Sequence, residues 1–98
     1  MREPGSELAS LHVILRGRVQ GVFFRDFTRH HAVVLGLTGY VRNLPGGRMI
    51  EVQAEGQRGR LEELLRYLYH GPAGAKVEEV EARWGDYKGS FPSFEVRH

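Results

Sequence analysis

The stretch from Leu11 to Gly36, LHVILRGRVQGVFFRDFTRHHAVVLG, decides the fold. Leu11, Val13 and Leu15 alternate with His12, Ile14 and Arg16, the period of two that marks a strand with one buried face. Gly17 to Gly21 breaks that pattern. From Phe24 the apolar spacing turns helical, and Phe24, Phe27, His31, Val34 and Leu35 are expected on one face. Gly36 is expected to stop this helix, as a glycine just past the last turn commonly does. A strand, a glycine-bearing loop and a helix in succession make the first half of a βαβ unit.

The sequence on the C-terminal side extends the same alternation. Thr38 to Leu44 predicts a second strand, Pro45-Gly46-Gly47 a turn, and Ile50, Val52 and Ala54 between Glu51, Gln53 and Glu55 a third strand that completes a hairpin. A second helix is expected over about Gly59 to His70, because Leu61, Leu64, Leu65 and Leu68 fall at i, i+3, i+4 and i+7. Glu62 and Glu63 are expected to favour its first turn through the helix dipole, and Gly71-Pro72 to end it. Val80, Ala82 and Trp84 predict a fourth strand, and Phe94 to Arg97 a short fifth. Residues 1–10 carry Pro, Gly and Ser without periodicity and are expected to form a flexible tail before one domain over residues 11–98. The order βαββαβ plus a short terminal strand predicts an α+β fold, a ferredoxin-like split βαβ sandwich whose antiparallel sheet carries two helices on one face. Strands one and two would then run parallel, so their C-terminal ends share one edge of the sheet. The loop Val19–Arg25 and Asn43 should meet there.

Composition narrows the classes of function. The chain has 98 residues, 41% hydrophobic and 27% charged, the balance of one globular domain. No apolar run approaches the ~18 residues of a membrane span, and the first seven residues lack the apolar stretch of a signal peptide. A cytoplasmic protein is expected. With no cysteine there are no disulfides, thiol nucleophiles or thiolate metal sites. Twelve of the fourteen basic residues are Arg, but the net charge is only +2 and the cations are interleaved with Glu, without the basic stripe of a nucleic-acid binder. His12, His30, His31 and His70 show no metal-ligand spacing and are read as structural or solvated.

The chemistry is concentrated in GRVQGVFFR, Gly17 to Arg25. Unpaired amides where a strand enters a helix form an anion site. Gly21 lets the backbone curl into a concave nest, and Arg25, in the first helical turn, can hold two oxygens of one phosphate. Asn43, at the end of LGLTGYVRN (Leu35 to Asn43), could donate to or accept from an attacking water. An arginine near a helix start is commonly solvated and an asparagine before a turn commonly structural, so each stretch alone leaves both readings open. Asp26 is read as a dipole residue rather than a base.

Taken together the two stretches resemble the acylphosphatase family. The match runs through Gly-Arg-Val-Gln-Gly-Val-x-Phe-Arg at residues 17–25 and Leu-Gly-Leu-x-Gly-Tyr-Val-Arg-Asn at residues 35–43, continues to Phe94-Glu95-Val96-Arg97, and covers essentially residues 11–98. The resemblance implies a ferredoxin-like domain that hydrolyses carboxyl-phosphate mixed anhydrides without metal or cofactor. It places the catalytic arginine on Arg25, the water-positioning asparagine on Asn43, and the phosphate cradle on the backbone of Val19, Gln20, Gly21, Val22, Phe23 and Phe24. Tyr40 stands where many members have Trp and His98 where many have Tyr, and the second departure bears on how Arg25 is supported from behind.

A small-molecule acyl phosphate is therefore the expected partner of a monomer, with no nucleic acid and no membrane. The rival readings are a non-enzymatic anion-binding module and an accessory module of a larger carbamoyl-transfer protein. An RNA-binding sheet would display stacking aromatics, whereas strand three is expected to expose Glu51, Gln53 and Glu55.

Overall fold

The computed structural model describes residues 5–98. The alternating segment forms β1 (Leu8–Arg18), and the helical spacing forms α1 (Phe24–Val34). There follow β2 (Thr38–Asn43), β3 (Met49–Gln57), α2 (Arg58–His70), β4 (Lys76–Gly85) and β5 (Phe94–Arg97). The strand order is β4-β1-β3-β2-β5, with β3 antiparallel to both β1 and β2, so β1 and β2 run parallel to each other as the βαβ reading requires.

The core lies between this sheet and the two helices. Leu11, Val13 and Leu15 oppose Ala54, Val52 and Ile50 across β1 and β3, and all six side chains are fully buried. Leu61, Leu64 and Leu68 from α2 and Phe24 and Ala32 from α1 close the same cluster. Removing a leucine such as Leu64 would cost ~2–5 kcal/mol in lost transfer energy and residual cavity.

Several expectations need correction. β1 begins at Leu8: residues 8–10, assigned to the flexible tail, pair with Gln57, Gly56 and Glu55, and Ala9 is buried. Residues 1–4 of that tail lie outside the described residues. The sheet is mixed rather than antiparallel, because β5 pairs with β2 in parallel. The inner face of α1 is Phe24, Thr28 and Ala32, while Val34 is exposed. Thr28 can lie inside because its hydroxyl donates to the Phe24 carbonyl one turn back. Phe27 and His31 instead sit at the border with α2, where the His31 ring stacks on Tyr67 at 3.8 Å. Burial, helped by the nearby His30 charge, lowers the pKa of His31. α2 starts at Arg58, so Glu62 and Glu63 fall beyond its first turn.

The face of the sheet away from the helices also differs from expectation. Glu55 is buried, because the connection from β4 to β5 must pass from one edge of the sheet to the other, and its carboxylate receives the amides of Lys88 and Ser90 on the way. Gln53 is half-buried. Glu51 is enclosed by His12 at 2.7 Å, Arg42 at 2.5 Å and Tyr40 at 3.2 Å. Burial pushes its carboxyl upward, but hydrogen bonds from His12, Arg42 and Tyr40 and the charge of Arg42 outweigh it and hold the pKa below the ordinary glutamate value. Gly39 and Ala54 are a non-hydrogen-bonded pair, the Gly39 amide donating instead to Ser93, and here β2 comes unusually close to β3: a Cβ on Gly39, whose φ is 139°, would lie 1.8 Å from the Gln53 carbonyl oxygen.

Candidate active site

The C-terminal ends of β1, β2 and β5 meet the N-terminus of α1 at one end of the sheet. A cleft of about 490 Å³ opens there, lined by the loop residues Val19, Gly21 and Phe23, by Phe24, Arg25 and Asp26 of the first helical turn, and by Asn43, Val96 and His98. The predicted meeting of the 19–25 loop with Asn43 is observed. Of the expected cradle residues Gln20 and Val22 do not line the cleft. Val22 packs against the core.

The loop owes its shape to two left-handed residues. Gly21 has φ 73° and adopts this without strain. Phe23, the N-cap of α1, has φ 61° and ψ 27°, and among the described residues it alone is non-glycine with positive φ. Such a conformation costs on the order of 1–3 kcal/mol and persists where the surroundings impose it, characteristically at functional sites. Alternation of left- and right-handed residues turns successive amides toward one side, as an anion nest does. The first backbone bond of α1 outside the loop is Phe27 N–H to Phe23 C=O, and the amides of Gln20 to Phe23 donate to no backbone carbonyl among the described residues. α1 also lacks a side-chain cap. Its positive dipole end therefore faces the cleft with its donors available.

Gln20 serves the loop from outside the cleft. Its side-chain amide donates to the carbonyls of Leu44 at 2.9 Å and Met49 at 2.8 Å, pinning the loop to the β2–β3 hairpin beside Asn43.

Arg25 is held from behind by the end of β5. Its Nη1 donates to His98 Nδ1 at 3.0 Å and more weakly to the Arg97 carbonyl at 3.4 Å. A guanidinium only donates, so the Nδ1 lone pair must be free and the His98 proton sits on Nε2. Nε and Nη2 have no protein partner among the described residues, which leaves a two-pronged donor edge for a tetrahedral oxyanion. Asn43, the last residue of β2, has a buried Oδ1 without a hydrogen-bond partner. A buried acceptor left unmade costs ~1–3 kcal/mol, and the residue that bears it is one of those lining the cleft.

Asp26, Val96 and His98 join the cleft without having been predicted to line it. The signal for His98 lay in its departure from the familiar C-terminal residue. The placement of Val96 follows only from β5 pairing in parallel beside β2. A second cleft, of about 460 Å³, lies at the opposite end of the sheet, but its buried carboxylate, Glu55, is already satisfied by the crossing loop. Among the described residues no group of three or more His, Asp or Glu side chains is gathered in metal-binding proximity, and no helix is long and apolar enough to cross a membrane.

Known proteins share this architecture and sequence. The acylphosphatase from Dehalococcoides mccartyi is 46% identical over 88 residues, 90% of this chain and 97% of that protein. The crystal structure of the acylphosphatase from Bacillus subtilis superposes with a TM-score of 0.86 at 29% identity, covering 94% of this chain and all of that one. The acylphosphatase structure from Coxiella burnetii gives 0.86 at 35% identity, covering 99% and 100%. A nest of free amides, a backed arginine and an orphaned asparagine oxygen thus stand on a fold these proteins share, and the model of that family matches residues 11–96: the chain belongs to the acylphosphatase family.

Proposed function

We propose that the protein hydrolyses carboxyl-phosphate mixed anhydrides to a carboxylate and inorganic phosphate, with Arg25 and Asn43 as catalytic residues and the backbone of Val19 to Phe24 as the phosphate cradle. The observation that supports this assignment is that Asn43, whose buried Oδ1 has no hydrogen-bond partner, lines one cleft together with Arg25 and the loop residues Val19, Gly21 and Phe23.

The chemistry follows from the substrate. An acyl phosphate has a carboxylate leaving group that departs without a proton, so a strong general acid is unnecessary. Phosphoryl transfer then asks for positioning and charge stabilisation. Nε and Nη2 of Arg25 grip two non-bridging oxygens, and the amides of the nest with the α1 dipole take up charge on the phosphoryl group. Asn43 Oδ1 accepts a hydrogen bond from a water and holds it in line with the scissile bond. The water oxygen bonds to phosphorus, the bond from phosphorus to the acyl oxygen breaks, and the acylate leaves with the electron pair. The water's proton passes to a phosphate oxygen. No step calls for a metal or cofactor.

The absence of cysteine fits work in the cytoplasm. The test is release of phosphate from benzoyl phosphate by the purified protein with a chelator present. Turnover unaffected by the chelator is the expected result; an inactive wild-type protein would overturn the assignment.

A further inference from the structure

The strand at one margin of the sheet is left unpaired on its outer side. β4 pairs with β1 alone, and its residues from Glu81 to Gly85 are all exposed. Ala82 is exposed even though its partner across the ladder, Val13, is fully buried. Such an edge presents free N–H and C=O groups that can pair with another strand.

Which groups are free follows from the ladder. The Gly39 amide donates toward β5, so Thr38, Tyr40 and Arg42 bond with Glu55, Gln53 and Glu51 of β3. Ala54, Val52 and Ile50 then bond with Leu11, Val13 and Leu15 of β1, which leaves His12 and Ile14 to bond with Arg83 and Glu81 of β4. The amides and carbonyls of Val80, Ala82 and Trp84 therefore point outward from the sheet. Glu78 is the extra residue of a bulge opposite Arg16 and Gly17, so the regular edge starts at Glu79. Val80, Ala82 and Trp84 oppose Leu15, Val13 and Leu11 and share their helix side; Glu79, Glu81 and Arg83 lie on the other face.

A second copy of the same edge fits in one register. Two copies related by a two-fold axis present the same strand to each other, here antiparallel. With the axis at Ala82, this residue and the partner's Ala82 exchange two hydrogen bonds, and Val80 does the same with the partner's Trp84. On the other face Glu81 lies against the partner's Arg83. Arg83 Nη2 already meets Glu81 Oε1 at 3.2 Å within one chain, so the four charges alternate in sign around a square. Charge excludes the adjacent registers. An axis at Glu81 or at Arg83 sets that residue against itself, and one at Val80 sets Glu79 against the partner's Glu81. Charged side chains ordinarily keep sheet edges apart; these repel in the adjacent registers and attract in this one.

We propose that the protein forms a two-fold dimer through β4, joining two five-stranded sheets into one, in place of the monomer expected from sequence. The cleft that holds Arg25 and Asn43 draws no residue from β4 and stays open in the dimer.

Sedimentation velocity over a series of protein concentrations tests this. The wild type should pass from monomer to dimer as concentration rises. Glu81→Arg sets like charge against the partner's Arg83, and Arg83→Glu against the partner's Glu81; each should weaken association on the order of tenfold or more. Combining Glu81→Arg with Arg83→Glu restores opposite signs and should restore the dimer. Both side chains are exposed, so all three variants should keep the wild-type circular dichroism. The chain has no cysteine, so oxidation of single-cysteine variants reads the register cleanly. Cα atoms of a hydrogen-bonded antiparallel pair lie ~5.5 Å apart, within disulfide reach, so Ala82→Cys should cross-link. Val80→Cys should not, because the two copies of residue 80 would lie roughly 14 Å apart. A wild type that stays monomeric at every concentration overturns the proposal. So does a charge exchange that fails to restore association, or a dimer in which Ala82→Cys cross-links no better than Val80→Cys.

Discussion

Gln20 Nε2 donates to the Leu44 carbonyl oxygen at 2.9 Å across 24 residues of sequence, so the loop and the strand end that carries Asn43 are fixed to each other by a single side chain. The same nitrogen donates to Met49 at 2.8 Å. Gln20→Ala leaves two part-buried carbonyls without these donors and should destabilise the fold by ~1–3 kcal/mol in urea denaturation. It should also lower kcat, because the loop and Asn43 then move independently.

Arg25 and Asn43 should separate activity from stability. Arg25→Ala is expected to cost on the order of 10³–10⁵ in kcat/KM, and Arg25→Lys to recover little, since a point charge cannot reproduce the planar fork. Asn43→Ala should cost on the order of 10²–10³ in kcat. Because it removes an unsatisfied buried oxygen, its thermal midpoint should equal or exceed that of the wild type. A clear loss of stability would instead mark Asn43 as a structural residue.

His98→Ala removes the acceptor that holds Arg25 Nη1 and leaves only the weaker contact to the Arg97 carbonyl. Steady-state kinetics should show KM raised several-fold while kcat changes less, since the guanidinium remains but must be ordered by the substrate. An unchanged KM would mean that the Arg97 carbonyl suffices.

Glu51 makes stability depend on pH in a defined direction. Its folded pKa lies below the unfolded value, so its stabilising contribution is complete above the unfolded value and disappears as pH falls through the folded one. Glu51→Gln should be less stable than wild type by ~1–3 kcal/mol at neutral pH. The two denaturation curves should converge as pH drops below the ordinary glutamate range of ~4.3. A gap that stays constant into acid would show that packing, not charge, carries the effect.

Gly39→Ala tests the close approach of β2 to β3. The added Cβ would lie 1.8 Å from a backbone oxygen that cannot step aside, and the φ of 139° already disfavours any side chain. A loss of more than ~4 kcal/mol is expected, enough to leave little soluble protein. Solubility in the expressed fraction and a melting curve check this.

The parts of this fold legible in sequence are those where periodicity and burial coincide. Leu11, Val13 and Leu15 alternate because β1 is covered on one face, and Leu61, Leu64 and Leu68 repeat because α2 buries one stripe. The same periodicity misassigned Val34, since Thr28, a polar residue by composition, satisfies its hydroxyl locally and takes the inner position. Glu55 was misread for the converse reason: nothing nearby in sequence announces that Lys88 and Ser90 will cross above it and use its charge. The Arg25 loop and Asn43 were brought together correctly because the crossover of a βαβ unit fixes which strand ends share an edge. Val96 and the backing role of the Arg97 carbonyl escaped, because strand length and polarity do not tell whether a four-residue terminal strand pairs parallel or antiparallel, or at which edge.

That terminal strand also sets when the molecule becomes competent. Residues 94–98 are the last of the site to be synthesised, yet they supply Val96 to the cleft wall and both partners of Arg25 Nη1. Until they emerge from the ribosome and dock beside β2, Arg25 Nη1 lacks both of these partners, so the grip on phosphate is completed later in synthesis than the phosphate loop itself.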